Sequence, residues 1–261
     1  MYRQAIARPY WLLLSAVNRR TVSVPNSRPL VSFSFDDFPR SAFAFGGRIL
    51  ESYQARGTFY AAIGLMNRTN ELGELFNAGD LEDLVCRGHE LGGHTAHHVS
   101  CWRTSLSLFE QEIRQGQEAV QQISHSSDLC NFSYPFGHVT IGSKRVAGRI
   151  SGSCRGTRAG INGPKVDLNL LRANPLYSTV VKFSEVERLI AENARLRGWL
   201  IFYTHEICEN PSRVGCTPEY FEAAVQCAAS SGAQIVTVAQ ALASSWREGV
   251  NGDGQRGAAK R

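Results

Sequence analysis

The chain has 261 residues, a length suited to one large α/β domain or at most two small ones. Apolar residues make up 43% and charged residues 20%, an ordinary globular balance with material for a sizeable core. The net charge is only +5 and no long basic run is interleaved with aromatics, which argues against nucleic-acid binding.

In chain order, the first feature is a short apolar run at residues 10–17 (YWLLLSAV), too short to span a bilayer. It is followed by Asn18-Arg19-Arg20 and not by a small-residue cleavage site, so it reads as a helix packed on the domain. Surface membrane contact is the second option. Residues 1–29 are taken as an N-terminal extension. VSFSF (31–35) alternates as a strand and stops at two aspartates, residues 46–56 read as a helix closed by Gly57, and TFYAAI (58–63) is a strand. Asp80 can cap a helix ended by Gly88, and HELGG (89–93) is a short strand. Ser107 with Glu110 and Ser184 with Glu187 are spaced as capping boxes for two longer helices. A short candidate strand runs from Leu129. WLIFYT (199–204) is a continuous apolar strand, Thr217-Pro218 starts a helix, and AQIVTV (233–238) is the last strand. The tail, residues 246–261, lacks a periodic apolar face and reads as disordered, leaving 30–245 as the domain. Repeated β–α alternation predicts a parallel sheet with helices outside, either open or closed into a barrel. No Gly-rich phosphate fingerprint follows a strand, which weakens a nucleotide-binding reading.

The seven cysteines are odd in number and form no CxxC pair, so no disulfide framework is expected and a reducing compartment, the cytoplasm, fits best. A bridge between Cys208 and Cys216 is the one pairing left open.

Polar clusters fall where these strands end, the place where parallel α/β barrels carry function. Asp36 and Asp37 follow VSFSF; neighbours in a strand point to opposite faces, so one can bind metal while the other acts as base, although a solvated turn would show the same pair. GGHTAHH follows HELGG. His94 and His98 are four apart, which on a helical turn puts both imidazoles on one face as zinc ligands require, while His97 points elsewhere. SYPFG (133–137) holds a tight turn at Pro135 and Gly137 that can aim a backbone N–H into a pocket. Thr204-His205 closes the apolar strand, where a histidine has a tunable pKa. Arg155 and Arg172 complete the set, each explicable as a simple partner of acids.

FDD, HTxxH, a YPFG turn and a strand-final TH in this order resemble the polysaccharide deacetylase family, the carbohydrate esterases sharing the NodB homology domain, over residues 30–240. The resemblance implies a distorted (β/α) barrel with about seven parallel strands. It implies a hydrolase that uses Zn²⁺ or another divalent transition metal to remove N-acetyl groups from an amino-sugar oligo- or polysaccharide or a glycolipid precursor. Asp36 matches the catalytic base, and Asp37, His94 and His98 match the metal ligands. Thr95 matches the residue that steadies their loop, the Phe136 N–H the oxyanion donor, and His205 the general acid. The sequence departs from the family at three points. Ser133 stands where an arginine usually pairs with the catalytic aspartate, Phe38 stands where glycine is common, and SCRGTRAGIN replaces an aspartate-tryptophan segment. Arg155 and Arg172 are the candidates to supply the displaced charge. Two other readings keep the fold: a metal-dependent amidase acting on a small non-sugar amide or imide, and a carbohydrate-binding domain without catalysis. Oligomeric state has no signature in the sequence.

Overall fold

The structure is a computed structural model that describes residues 8–23, 27–125 and 130–243. Residues 246–261, and Leu129 at the start of the candidate strand, lie outside the described residues. The centre of the fold is β2 (Leu30–Asp36), every residue of which is buried. Along one edge of β2 runs β11 (Trp199–Thr204), paired in parallel from Trp199↔Leu30 to Thr204↔Phe35. The other edge is shared: β12 (Gln234–Ile235) pairs with Leu30 and Val31, and β3 (Thr58–Ala61) with Ser34 to Asp36. Beyond β3 follow β6 (Glu90–Gly93), β7 (Phe132–Ser133) and β8 (Cys154–Arg155), and beyond β11 lies β10 (Asn174–Pro175). The order β10-β11-β2-β3-β6-β7-β8 gives seven parallel strands curled into a half-barrel, with β12 as an additional short strand. A bridge between Arg155 and Leu171 carries the chain from β8 back toward β10. Strands β4 (Thr69–Asn70) and β5 (Gly73–Glu74) form a small exposed antiparallel pair outside this sheet.

Helices α2 (Arg48–Ser52), α3 (Ala78–Cys86), α4 (Leu106–Ser124), α5 (Ile141–Ile150), α6 (Phe183–Leu196) and α7 (Pro218–Ser230) surround the curled sheet. Several boundaries differ from the pattern reading, each for a local reason. Residues 42–47 form a π-helical turn ahead of α2. The cap of α3 is Asn77, with Asp80 as its capping-box partner. Ser105, not Ser107, caps α4 by accepting from the Leu108 N–H. Helix α6 starts behind Lys182 without a side-chain cap, so Ser184 and Glu187 lie inside it. Thr217 caps α7 with Pro218 in the first turn, as its sequence dictates.

The apolar run near the start forms α1 (Arg8–Ala16), whose Leu14 is buried with Phe109, Ile113, Phe132 and Val146. The fully buried Lys144 ties this helix down: its ammonium donates to the carbonyls of Leu14 and Val17 and pairs with Asp167 at 2.7 Å. Strand β1 (Thr21–Ser23) pairs antiparallel with β9 (Lys165–Asp167). Among the described residues no helix is long and apolar enough to cross a membrane. All seven cysteines are free thiols, Cys208 and Cys216 included.

Candidate active site

The loops that hold the site leave the C-terminal ends of β2, β6, β7, β8 and β11, so the parallel sheet brings distant sequence segments to one rim. Asp36 ends β2 with its side chain in the barrel interior, and Asp37 turns out of the strand at φ +61°. The next residue, Phe38, is also left-handed, at φ +50°, and fully buried against Phe59 and Phe76. Where the family often has glycine, this chain therefore keeps glycine-like backbone and uses the side chain to anchor the turn in the core.

His94 and His98 meet through a loop, not a helical turn. Residues 94–98 contain no helix, and left-handed Thr95 (φ +59°) and His98 (φ +55°) bend the chain back on itself. The Thr95 hydroxyl accepts from the Val99 N–H at 3.0 Å, closing the bend. Asp37, Phe38, Thr95, His98 and Phe136 are five of the ten left-handed non-glycine residues among those described, so backbone strain of about 1–2 kcal/mol per residue is concentrated here.

One ligand-capable atom from each of Asp37, His94 and His98 lies within 4.8 Å of the others. The Asp37 Oδ1 is 3.1 Å from the Nε2 of His98 and 3.5 Å from that of His94. The same Oδ1 is buried and makes no hydrogen bond. His94 uses its Nδ1 on the Ser133 carbonyl at 2.7 Å, which turns Nε2 toward Asp37. Burial pushes the His94 imidazole down to about 4, with His98 adding to the fall and Asp36 and Asp37 opposing it, so it is neutral at pH 7. A carboxylate oxygen without a donor and two imidazole nitrogens aimed at the same point are a donor set that suits a divalent transition metal.

Asp36 is held differently. Arg155, fully buried on β8, places its guanidinium between the Asp36 carboxylate and the Ser133 hydroxyl, bonding both. Burial pushes the Asp36 carboxyl up, but the charge of Arg155, aided by His94 and His205, outweighs it and holds the pKa below the ordinary range. The arginine absent at Ser133 is thus supplied by the next strand, and the small serine leaves room for it. The rings of Tyr60 and Tyr203 flank the guanidinium at 5.2 and 4.9 Å. Arg172 lies elsewhere, its guanidinium donating to the Ala159 carbonyl away from the rim.

His205 follows β11, with Nε2 3.9 Å from Asp37 Oδ2 and Nδ1 3.2 Å from the Val214 carbonyl. Pro135 is buried at the head of the 3₁₀ turn Pro135–Gly137, and Phe136, half exposed at φ +59°, lays its ring 4.4 Å from that of His98. Two contributors escape a motif reading. Buried Glu112 on α4 accepts from the His97 N–H at 2.8 Å and contacts its ring nitrogen at 3.0 Å, fastening the histidine loop. Gly116, one turn on, lets that loop rest on the helix, since a Cβ there would meet the Thr95 carbonyl carbon at 3.1 Å. Only the spacing of Glu112 and Gly116 on one helical face hints at either.

This arrangement agrees with what the chain matches. The polysaccharide deacetylase family model matches residues 23–150, which carry both aspartates, both histidines and the Pro135 turn. Over that stretch the chain is similar to the polysaccharide deacetylase family. It is 25% identical over 103 residues to a peptidoglycan-N-acetylglucosamine deacetylase of Bacillus cereus, an alignment spanning 39% of this chain and 45% of the relative. The chain therefore matches less than half the length of that relative. In fold, it resembles a family 4 acetyl xylan esterase from Clostridium thermocellum in complex with a cobalt ion (19% identity, TM-score 0.57, 82% of this chain and 90% of that one). It also resembles a carbohydrate esterase family 4 pseudoenzyme from Bacillus anthracis (10% identity, TM-score 0.54, 84% and 66%).

Proposed function

We propose that the protein is a metal-dependent hydrolase that removes N-acetyl groups from an amino-sugar oligo- or polysaccharide or a glycolipid precursor. The observation that carries this reading is the pairing of Asp36 with Arg155 beside the unpartnered Asp37 oxygen and the two histidines. Binding alone requires no ionised buried carboxylate next to a cation site. A divalent ion held by Asp37, His94 and His98 supplies Lewis acidity and a water acidified from a pKa of ~15.7 toward roughly 7. Asp36, kept ionised by Arg155, takes the proton of the attacking water. The Phe136 N–H donates to the developing oxyanion, a contribution of about 3 kcal/mol for one such donor. His205, on the other side of Asp37, protonates the departing amine, without which an amide leaving group departs poorly. The products are acetate and a free amino sugar. The Bacillus cereus relative, by its name, acts on peptidoglycan N-acetylglucosamine, which supports an N-acetylated sugar over a small non-sugar amide.

The test is acetate release from chitooligosaccharides, peptidoglycan fragments and small amides, with metal content measured in parallel. Asp36→Asn is expected to lower turnover by about 10²–10⁴-fold while the cation stays bound. His94→Ala is expected to lose the cation. Full activity in a sample shown to be metal-free, or undiminished turnover in Asp36→Asn, removes the proposal. Binding of oligosaccharide with no turnover on any substrate moves the assignment to a non-catalytic domain.

A further inference from the structure

Arg172 belongs to a second polar site. Residues from α1, the following segment and the stretch between β8 and β10 line a groove of about 140 Å³, with Arg19, Lys165 and Arg172 as its cations and Ser15 and Asn162 among its neutral polar groups. The groove sits at the N-terminal end of the strands: Asn162 bonds to the backbone of Trp199, the first residue of β11, whereas His205 follows the last. It is therefore separate from the deacetylase rim.

The charges in this groove are unbalanced. Its one lining carboxylate, Asp167, is already committed, Oδ2 to the buried Lys144 at 2.7 Å and Oδ1 to the backbone N–H groups of Arg20 and Asn169. Among the described residues, Arg19, Lys165 and Arg172 form no ion pair. Arg172 is partly buried, and among the described residues its guanidinium is held only by the Ala159 carbonyl at 3.3 Å. Burial, and then the like charge of Arg158, both disfavour its cationic form. Arg158 brings no compensation, because it donates to the Ser15 hydroxyl and lies over Trp11. A half-buried cation beside another, in a groove whose one carboxylate is already committed, is stabilised by an anion from outside.

We propose that this groove binds a phosphoryl group, gripped by the Arg172 guanidinium and flanked by Arg19 and Lys165. The planar fork of an arginine matches two phosphate oxygens, and a groove lined by three cations favours a dianion over a single carboxylate. The groove has room for a tetrahedral oxyanion. The phosphoryl group can belong to a soluble phosphate ester or to a lipid headgroup.

Calorimetric titration of the full chain with inorganic phosphate, at constant ionic strength made up with chloride, tests the site. Saturable binding is expected, weakened about tenfold by Arg172→Gln and by the double substitution Arg19→Gln, Lys165→Gln. Both changed residues of the double variant are exposed, so its folding is secure and it keeps the test decisive if Arg172→Gln unfolds. Co-sedimentation with vesicles of phosphatidylglycerol and phosphatidylcholine separates the sources. Sedimentation that phosphate competes away and the double variant lacks assigns a lipid headgroup; phosphate binding without sedimentation assigns a soluble ester. Binding no stronger than that of chloride, or unchanged in the double variant, overturns the proposal. Neither result depends on deacetylase activity.

Discussion

Arg155 decides what Asp36 can do. A carboxylate this buried would be pushed toward the neutral form, and the guanidinium beside it, aided by His94 and His205, keeps the proton off. Removing that partner by Arg155→Met leaves an uncompensated buried charge, at a cost of about 3–5 kcal/mol measured by urea unfolding at pH 7. The same variant is expected to move the acid limb of the kcat/KM profile to higher pH, because burial then loses its main opponent. In the native protein the Asp36 pKa is lowered on folding. Its stabilising contribution is therefore complete above the unfolded carboxylate value, about 4, and is lost as pH falls through the lower folded value. Arg155→Lys keeps the charge but loses the fork shared between Asp36 and Ser133, so its pH profile should fall between the two. An unshifted acid limb in Arg155→Met would remove arginine from this role.

At the scale of elements, the histidine loop and α4 form one unit. The loop has no regular hydrogen-bonding of its own across residues 94–98, so its left-handed residues need outside support. That support comes from α4, through the Glu112 carboxylate on His97 and the Glu112 carbonyl on the Ala96 N–H, with Gly116 permitting the close approach. Glu112→Ala is expected to weaken cation binding about tenfold or more in calorimetry, with α4 intact by circular dichroism, since groups that orient ligands are worth about 10–100-fold in affinity. Unchanged affinity would mean the loop holds its shape alone. The Ser105 cap belongs to the helix only: Ser105→Ala should cost about 1 kcal/mol without touching the cation.

For the whole molecule, the curled sheet joins segments more than 160 residues apart into one rim, from Asp36 to His205. A cation that binds only the folded chain must therefore stabilise all of it. At a concentration 100-fold above Kd the gain is about 2.7 kcal/mol, which should appear as a raised Tm that chelator reverses and His94→Ala abolishes. Away from the candidate site, Lys144 fastens α1 to the barrel. Lys144→Met is expected to destabilise by about 3 kcal/mol, because Asp167 loses its buried partner and two carbonyls lose their donor.

Much of the rim was legible in the sequence. Strand-final Asp36, Asp37 and His205 are written locally, because a buried parallel strand reads as an unbroken apolar run and the residues just past its end must lie at the rim. The order of FDD, HTAHH, YPFG and TH carried the family. The structure decided what spacing leaves open. The i, i+4 interval of His94 and His98 suggests a helix, yet the pair is assembled by left-handed bends in a loop that α4 supports. Choosing Arg155 over Arg172 as the partner of Asp36 needed the pairing of β7 with β8, which sets Arg155 beside Ser133. Side-chain charge is a property of the residue, but whom it meets is set by strand register, and register is a tertiary fact.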